Sequence, residues 1–149
     1  MIELYKNSYV TVEDADNYFS QKLDADFWEE LDTVQKEKAL ITASRQIDLL
    51  PFLGVKFELN QPMSFPRIIQ GKIYDMLDKV KEAVCEQAVY LLSENYKQNS
   101  NLKSVTLGSA SLSFKDNADF SISDEARKLL SGLLKTGFDI EKSFFREVY

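Results

Sequence analysis

The chain has no histidine, one cysteine and five glycines among its 149 residues. Without imidazole, Ser-His-Asp and Cys-His catalysis, the HExxH zinc site and Cys/His zinc fingers are excluded. The single cysteine, Cys85, cannot form an intramolecular disulfide, and neither GxGxxG nor GxxxxGK[ST] occurs to hold a nucleotide phosphate. The composition therefore predicts a protein that is not an enzyme and that has no cofactor and no bound metal.

Positive charge is also scarce, because 18 Lys and Arg residues stand against 24 Asp and Glu residues, for a net charge of -6. This excess opposes a polyanionic partner unless the cations gather on one face. No apolar run approaches the roughly 20 residues of a membrane-spanning helix. Because no export signal is recognisable and the cysteine is single, we expect the protein to be made in a reducing cytoplasm.

Apolar residues recur at three- and four-residue spacings in several segments, which predicts a mainly α-helical domain of four to five helices. Capping residues and prolines set the expected helix ends. The predicted helices run from the capping box at Thr11 to about Gln21, over a short turn capped by Asp24 or Asp26, from Asp32 or Thr33 to Pro51, from Leu77 to about Tyr96, and from Ser121 or Ser123 to about Lys135.

The stretch from Phe52 to Gly71 is the least regular part of the sequence and is predicted to be a long loop. Arg67 follows Pro66 there and is expected to be exposed. A stiff, proline-flanked loop can present one cation to a carboxylate or phosphate of a partner, or that cation can pair with a local acid. Both interpretations of Arg67 stay open at this point.

Apolar and polar residues alternate over about 103–115, which predicts a β-hairpin closed by Gly108 and Ser109. Val105, Leu107, Ala110 and Leu112 would share one face of this hairpin. Thr106 and Ser111 would lie on the other face, which is then wet or covered by a partner. Thr106, Gly108, Ser109 and Ser111 are therefore candidate residues of a subunit edge.

The sequence divides into a helical domain over residues 1–136 and a C-terminal arm over residues 137–149. The arm is too apolar for a solvated end, so it is expected either to dock on its own core or to insert into a partner, and we favour insertion. Its candidate partner-binding residues are Phe138, Ile140, Phe144, Phe145, Val148 and Tyr149.

Three further groups of residues have a functional and a structural interpretation, and the structural one is favoured for each. Carboxylates can bind Mg²⁺, but they also suit helix starts. Aromatic rings can stack on bases, but rings at helical spacing more often pack in a core. Cys85 is interpreted as a small buried apolar residue. The carboxylates are Asp24, Asp26, Glu29, Glu30 and Asp32, and the rings are Phe27, Trp28, Phe65 and Tyr90.

An ordered series of short motifs resembles one known group of proteins. The motifs are residues 7–19 (NSYVTVEDADNYF), Phe27-Trp28, residues 36–48 (KEKALITASRQID) and residues 61–67 (QPMSFPR). In this order they resemble the head-tail connector proteins of tailed bacteriophages, also called adaptor or head-completion proteins, a group whose members are also labelled DnaT-like single-stranded-DNA-binding proteins. The resemblance covers about residues 7–95, together with the capped helix near residue 123.

The resemblance implies a structural subunit of the virion neck, made in the bacterial host cytoplasm. Its partners would be the portal protein, a tail-side neck or tail-terminator protein, and further copies of itself in a dodecameric ring. Double-stranded DNA would pass through this ring without specific binding, and no membrane would be involved. The alternative, from the second label, is a single-stranded-DNA-binding accessory protein of replication.

Overall fold

The computed structural model describes residues 1–93 and 122–135. These residues form a small, mainly α-helical domain with one antiparallel sheet, which confirms the predicted fold class. The elements are α1 (Val12–Ser20), α2 (Asp26–Glu29), α3 (Thr33–Asp48), β1 (Val55–Lys56), β2 (Arg67–Ile69), β3 (Lys72–Tyr74), α4 (Asp78–Leu92) and α5 (Asp124–Leu130). The predicted hairpin at about 103–115 and the arm at 137–149 lie outside the described residues.

The predicted capping residues begin α1, α3 and α5. The Thr11 hydroxyl accepts a hydrogen bond of 3.0 Å from the amide of Asp14, and Asp32 caps α3 through the amide of Gln35 in the same way. Ser123 begins α5. The prediction for α2 is wrong, because its first turn follows Ala25 and no side chain caps it.

The core lies mainly between α3 and α4, with α1, α2 and α5 packed around this pair. Each helix contributes the stripe that its apolar spacing predicts, and complete burial of one such aliphatic side chain contributes about 1.5–3 kcal/mol. The stripe residues with almost no exposed surface include Phe19, Trp28, Leu40, Ala43, Ile47, Val80, Val84, Ala88 and Leu130. Among the helices of the described residues, none is long and apolar enough to cross a membrane.

The region predicted as a loop from Phe52 to Gly71 contains most of a three-stranded sheet in the order β1-β2-β3, so the prediction is wrong there. Two residues of positive φ, Gln70 and Gly71, close a tight turn between β2 and β3, as the right-handed twist of a hairpin requires. Gly54 stands just before β1. A Cβ at this position would lie 2.0 Å from the carbonyl oxygen of Ile68, so only glycine allows this close approach.

The last described residues leave the helical pattern earlier than predicted. Helix α5 ends at Leu130 instead of near Lys135, and the chain then runs antiparallel to Pro51–Leu53. The amide of Leu53 donates to the carbonyl of Leu133 at 2.8 Å, and the amide of Lys135 donates to the carbonyl of Pro51 at 3.0 Å. These hydrogen bonds satisfy backbone amide and carbonyl groups that would otherwise be satisfied by further turns of α5.

Candidate interaction surface

The two sides of the sheet differ in chemistry. Directly paired residues of an antiparallel sheet point to the same side, and the observed pairs are Lys56 with Arg67, Arg67 with Tyr74, and Ile69 with Lys72. Three of the chain's cations and one tyrosine therefore share one side. We call this side, defined by Lys56, Lys72 and Tyr74 around Arg67, the cationic face.

Arg67 lies at the centre of the cationic face and is only 8% exposed, so the expectation of an exposed cation is wrong. Its guanidinium donates to four backbone carbonyls, those of Phe52, Leu53, Gly54 and Ser64, at 2.8–3.3 Å. Burial lowers the pKa of this guanidinium. The contacts tie β2 to the segment before β1, so Arg67 positions the sheet.

Lys56 and Lys72 have no carboxylate partner among the described residues. Lys72 is exposed, and its ammonium lies 5.5 Å from the centre of the Tyr74 ring, within cation–π range. Lys56 and Tyr74 are half-buried. Lys6, Lys22, Lys36, Lys81 and Lys128 each pair with an Asp or Glu side chain. Lys56 and Lys72 therefore leave their charge for a ligand.

A buried polar cluster joins the loop before the sheet to the helical body. The Tyr9 hydroxyl donates to the Asp48 carboxylate, and the amide of Ser64 donates to the same carboxylate at 2.7 Å and to the Tyr9 oxygen at 3.0 Å. The pKa of Tyr9 is raised, mainly by burial and to a smaller extent by the nearby charge of Asp48. Together with Phe65, whose ring meets Tyr9 edge-on, the cluster fixes the chain two residues before β2.

The opposite side of the sheet is apolar and uncovered. Val55, Phe57 and Ile73 are all exposed there, beside the half-buried Ile68. Contiguous exposed apolar side chains on a small domain mark a contact surface. We call this second side the apolar face.

The aromatic residues considered as stacking platforms lie mostly in the core, as favoured. Trp28 and Phe65 are buried, and Phe27 is partly buried against the core. Trp28 donates from its indole nitrogen to Asp16 at 2.7 Å, and Lys36, itself bonded to Asp16, lies 5.6 Å from the indole ring. A base cannot reach this indole face without displacing Lys36.

The candidate carboxylates and Cys85 have structural positions. Within residues 1–93 and 122–135, no group of three or more Asp, Glu or Cys side chains converges to hold a metal ion. Cys85 is buried as expected, and burial together with the neighbouring Glu86 raises its pKa to about 12. Its sulfur therefore stays protonated near neutral pH and is a poor nucleophile. Next to it, the buried Glu86 accepts hydrogen bonds from Tyr18 and Lys22.

Lys56, Lys72 and Tyr74 were missed by the sequence prediction, although they form the one cluster of unpaired cations with an aromatic ring in the described sheet. Ammonium groups bind phosphates, and a tyrosine ring stacks on a planar base. The candidate arm residues (Phe138, Ile140, Phe144, Phe145, Val148, Tyr149) and hairpin residues (Thr106, Gly108, Ser109, Ser111) lie outside the described residues, so their predicted roles stay predictions.

The fold and this surface define a small, mainly α-helical domain that carries a lysine- and tyrosine-bearing sheet. Over residues 4–146, the chain matches the family described as "Putative DnaT-like ssDNA binding protein", and it belongs to that family. No curated protein and no solved structure matches the chain. The DnaT-like part of the predicted resemblance is thereby confirmed, whereas the connector role stays a prediction.

Proposed function

We propose that this protein binds single-stranded DNA without sequence preference. The observation that carries the proposal is the family match, which spans residues 4–146. The cationic face supplies a location for the contact, because it combines unpaired lysines with a partly exposed aromatic ring. This combination is the one that single-strand binding uses.

In this proposal Lys56 and Lys72 contact successive phosphates, and Tyr74 stacks on the base between them. The Lys72 ammonium lies over the ring, 5.5 Å from its centre, so a base that stacks on this face displaces the exposed Lys72 toward the neighbouring phosphate. A single strand can turn an unpaired base toward the ring, whereas a duplex keeps its bases stacked inside. The protein should therefore prefer single-stranded over double-stranded DNA.

The net charge of -6 opposes this binding at long range. Affinity then depends on a few local phosphate contacts and falls as salt competes for them, with a slope of about -0.7 in log affinity against log salt for each contact. Two lysine contacts predict a total slope of about -1.4. This value is small beside that of strongly basic DNA-binding proteins.

Fluorescence anisotropy of a labelled oligothymidine tests the proposal directly. Titrations at about 50 mM and about 200 mM salt should show binding that weakens with salt, and a duplex of equal length should bind more weakly. Equal affinity for the two DNA forms would overturn the preference for single strands. No binding even at the lower salt concentration would overturn the proposed function.

A second candidate function is the connector subunit, and the uncovered apolar face favours it. Val55, Phe57 and Ile73 could contact a neighbouring copy in a ring, and the net charge of -6 would let DNA slide through the lumen without adhering. Native mass measurement tests this function on the purified protein, alone and mixed with its portal protein. Rings in either sample support it, and a monomer in both samples overturns it.

A further inference from the structure

The direction in which the chain leaves its last described residue points to one part of the surface. Because residues 133–135 run antiparallel to residues 53–51, Leu133 lies beside Leu53 and Lys135 lies beside Pro51. From Leu133 to Lys135 the chain runs away from β1 and toward Leu49, the C-cap of α3. Lys135, the last described residue, therefore lies close to the C-terminal end of α3.

A groove of about 320 Å³ opens at this end of α3. Leu49 is 65% exposed on its rim and gives the groove an apolar wall. Arg45, one helical turn earlier, is exposed and forms no ion pair with a described residue. The lining residues are Lys6, Arg45, Asp48, Leu49, Pro62 and Met63.

Charge in the groove favours an occupant with both apolar and acidic side chains. The Asp48 carboxylate already accepts hydrogen bonds from Tyr9 and Ser64, and Arg45 forms no ion pair with a described carboxylate. The sequence immediately after Lys135 supplies this combination, because Phe138, Asp139, Ile140 and Glu141 alternate apolar and acidic residues. Two intervening residues span up to about 10 Å, which is enough to bring Phe138 to the rim.

We propose that the segment 138–141 of the same chain binds this groove. In this arrangement Phe138 and Ile140 cover Leu49 and Pro62, which are exposed, and the acidic side chains of the segment lie near Arg45. The inference is independent of DNA binding and commits the first part of the C-terminal arm to its own domain.

Cysteine labelling on α3 and its C-cap tests this placement in the chain of 149 residues, without DNA. Leu49→Cys and Val34→Cys form a matched pair, because the native residues are 65% and 58% exposed on the same helix. Cys85 is buried and serves as an unreactive internal reference. If the segment covers the groove, iodoacetamide should label position 49 about tenfold more slowly than position 34.

A substitution in the segment itself completes the test. Phe138→Ser, combined with Leu49→Cys, should raise labelling to within about twofold of the rate at position 34, because the cover is lost. Equal rates at both positions in the otherwise native chain overturn the proposal, and so does a slow rate at position 49 that Phe138→Ser leaves unchanged. Slow labelling that appears only at high protein concentration also overturns it, because a second copy would then be the occupant.

Discussion

The ammonium of Lys72 lies 5.5 Å from the centre of the Tyr74 ring, two residues further along the same strand. Residues two apart in a strand project to the same side, so the charge and the ring form one unit on the cationic face. Because Lys72 is exposed, it can leave the ring for a phosphate at a cost of about 0.5–1 kcal/mol.

Tyr74→Ala should weaken binding of single-stranded DNA by about 1–3 kcal/mol, which is about 5- to 150-fold in Kd, because the stacking surface is lost. Tyr74→Phe keeps the ring and should bind within about threefold of the native protein. Anisotropy titrations of the three proteins compare these affinities, and thermal unfolding confirms that all are folded. If the Ala and Phe variants bind alike, stacking on Tyr74 does not contribute.

Arg67→Met should lower the free energy of unfolding by about 3 kcal/mol, because four carbonyl oxygens lose a buried, charged donor. Arg67→Lys should recover only part of this loss, since one ammonium lacks the forked geometry that reaches several carbonyls. Urea unfolding measures both variants. The matched control is Arg127→Met at an exposed position on α5, which should change the free energy by less than about 0.5 kcal/mol. A similar small change at Arg67 would contradict its positioning role.

Burial of Cys85 makes stability depend on pH in an alkaline window. Its pKa is raised from 9.0 to about 12 in the folded protein, so the unfolded chain releases this proton first as pH rises. The contribution to stability is complete below pH 9.0 and is lost progressively toward pH 12. Between about pH 9 and 10, the free energy of unfolding should fall by about 1 kcal/mol through this group.

Cys85→Ala lacks the thiol and serves as the comparison for that pH dependence. Over the same window, the free energy of unfolding of this variant should fall by about 1 kcal/mol less than that of the native protein, because only the thiol is missing and the other titrating groups are unchanged. Urea unfolding at about pH 9 and 10 measures the difference between the two proteins. Identical pH slopes would show that the thiol is not protected in the folded state.

The helices could be predicted from the sequence because their signals are local. Leu40, Ala43 and Ile47 lie on one stripe at three- and four-residue spacing, and Thr11 and Asp32 are side-chain caps within three residues of the amides that they bind. The end of α5 could not be predicted in this way. Residues 133–135, which follow α5, pair with Pro51–Leu53 about eighty positions earlier, and no local pattern encodes that contact.

The sheet and the candidate site depend on contacts that the sequence does not display. Each strand has only two or three residues, which is too short for alternation to be recognised. The sequence indicates Arg67 as a candidate residue but not its burial, because that burial depends on hydrogen bonds to carbonyls 3–15 positions away. The signal that could have found Lys72 and Tyr74 is the Gln70-Gly71 turn, read as a hairpin between Arg67 and Tyr74.

The salt dependence of DNA binding by a lysine double variant tests the central claim most directly. Lys56→Gln with Lys72→Gln removes both proposed phosphate contacts, whereas Lys38→Gln with Lys79→Gln removes two exposed lysines on helices as a matched change in net charge. The sheet variant should lose most of its single-strand affinity and reduce the salt slope by about 1.4, and the helix variant should keep the native slope. Equal slopes in the two variants, or native affinity in the sheet variant, would contradict single-strand binding at the cationic face.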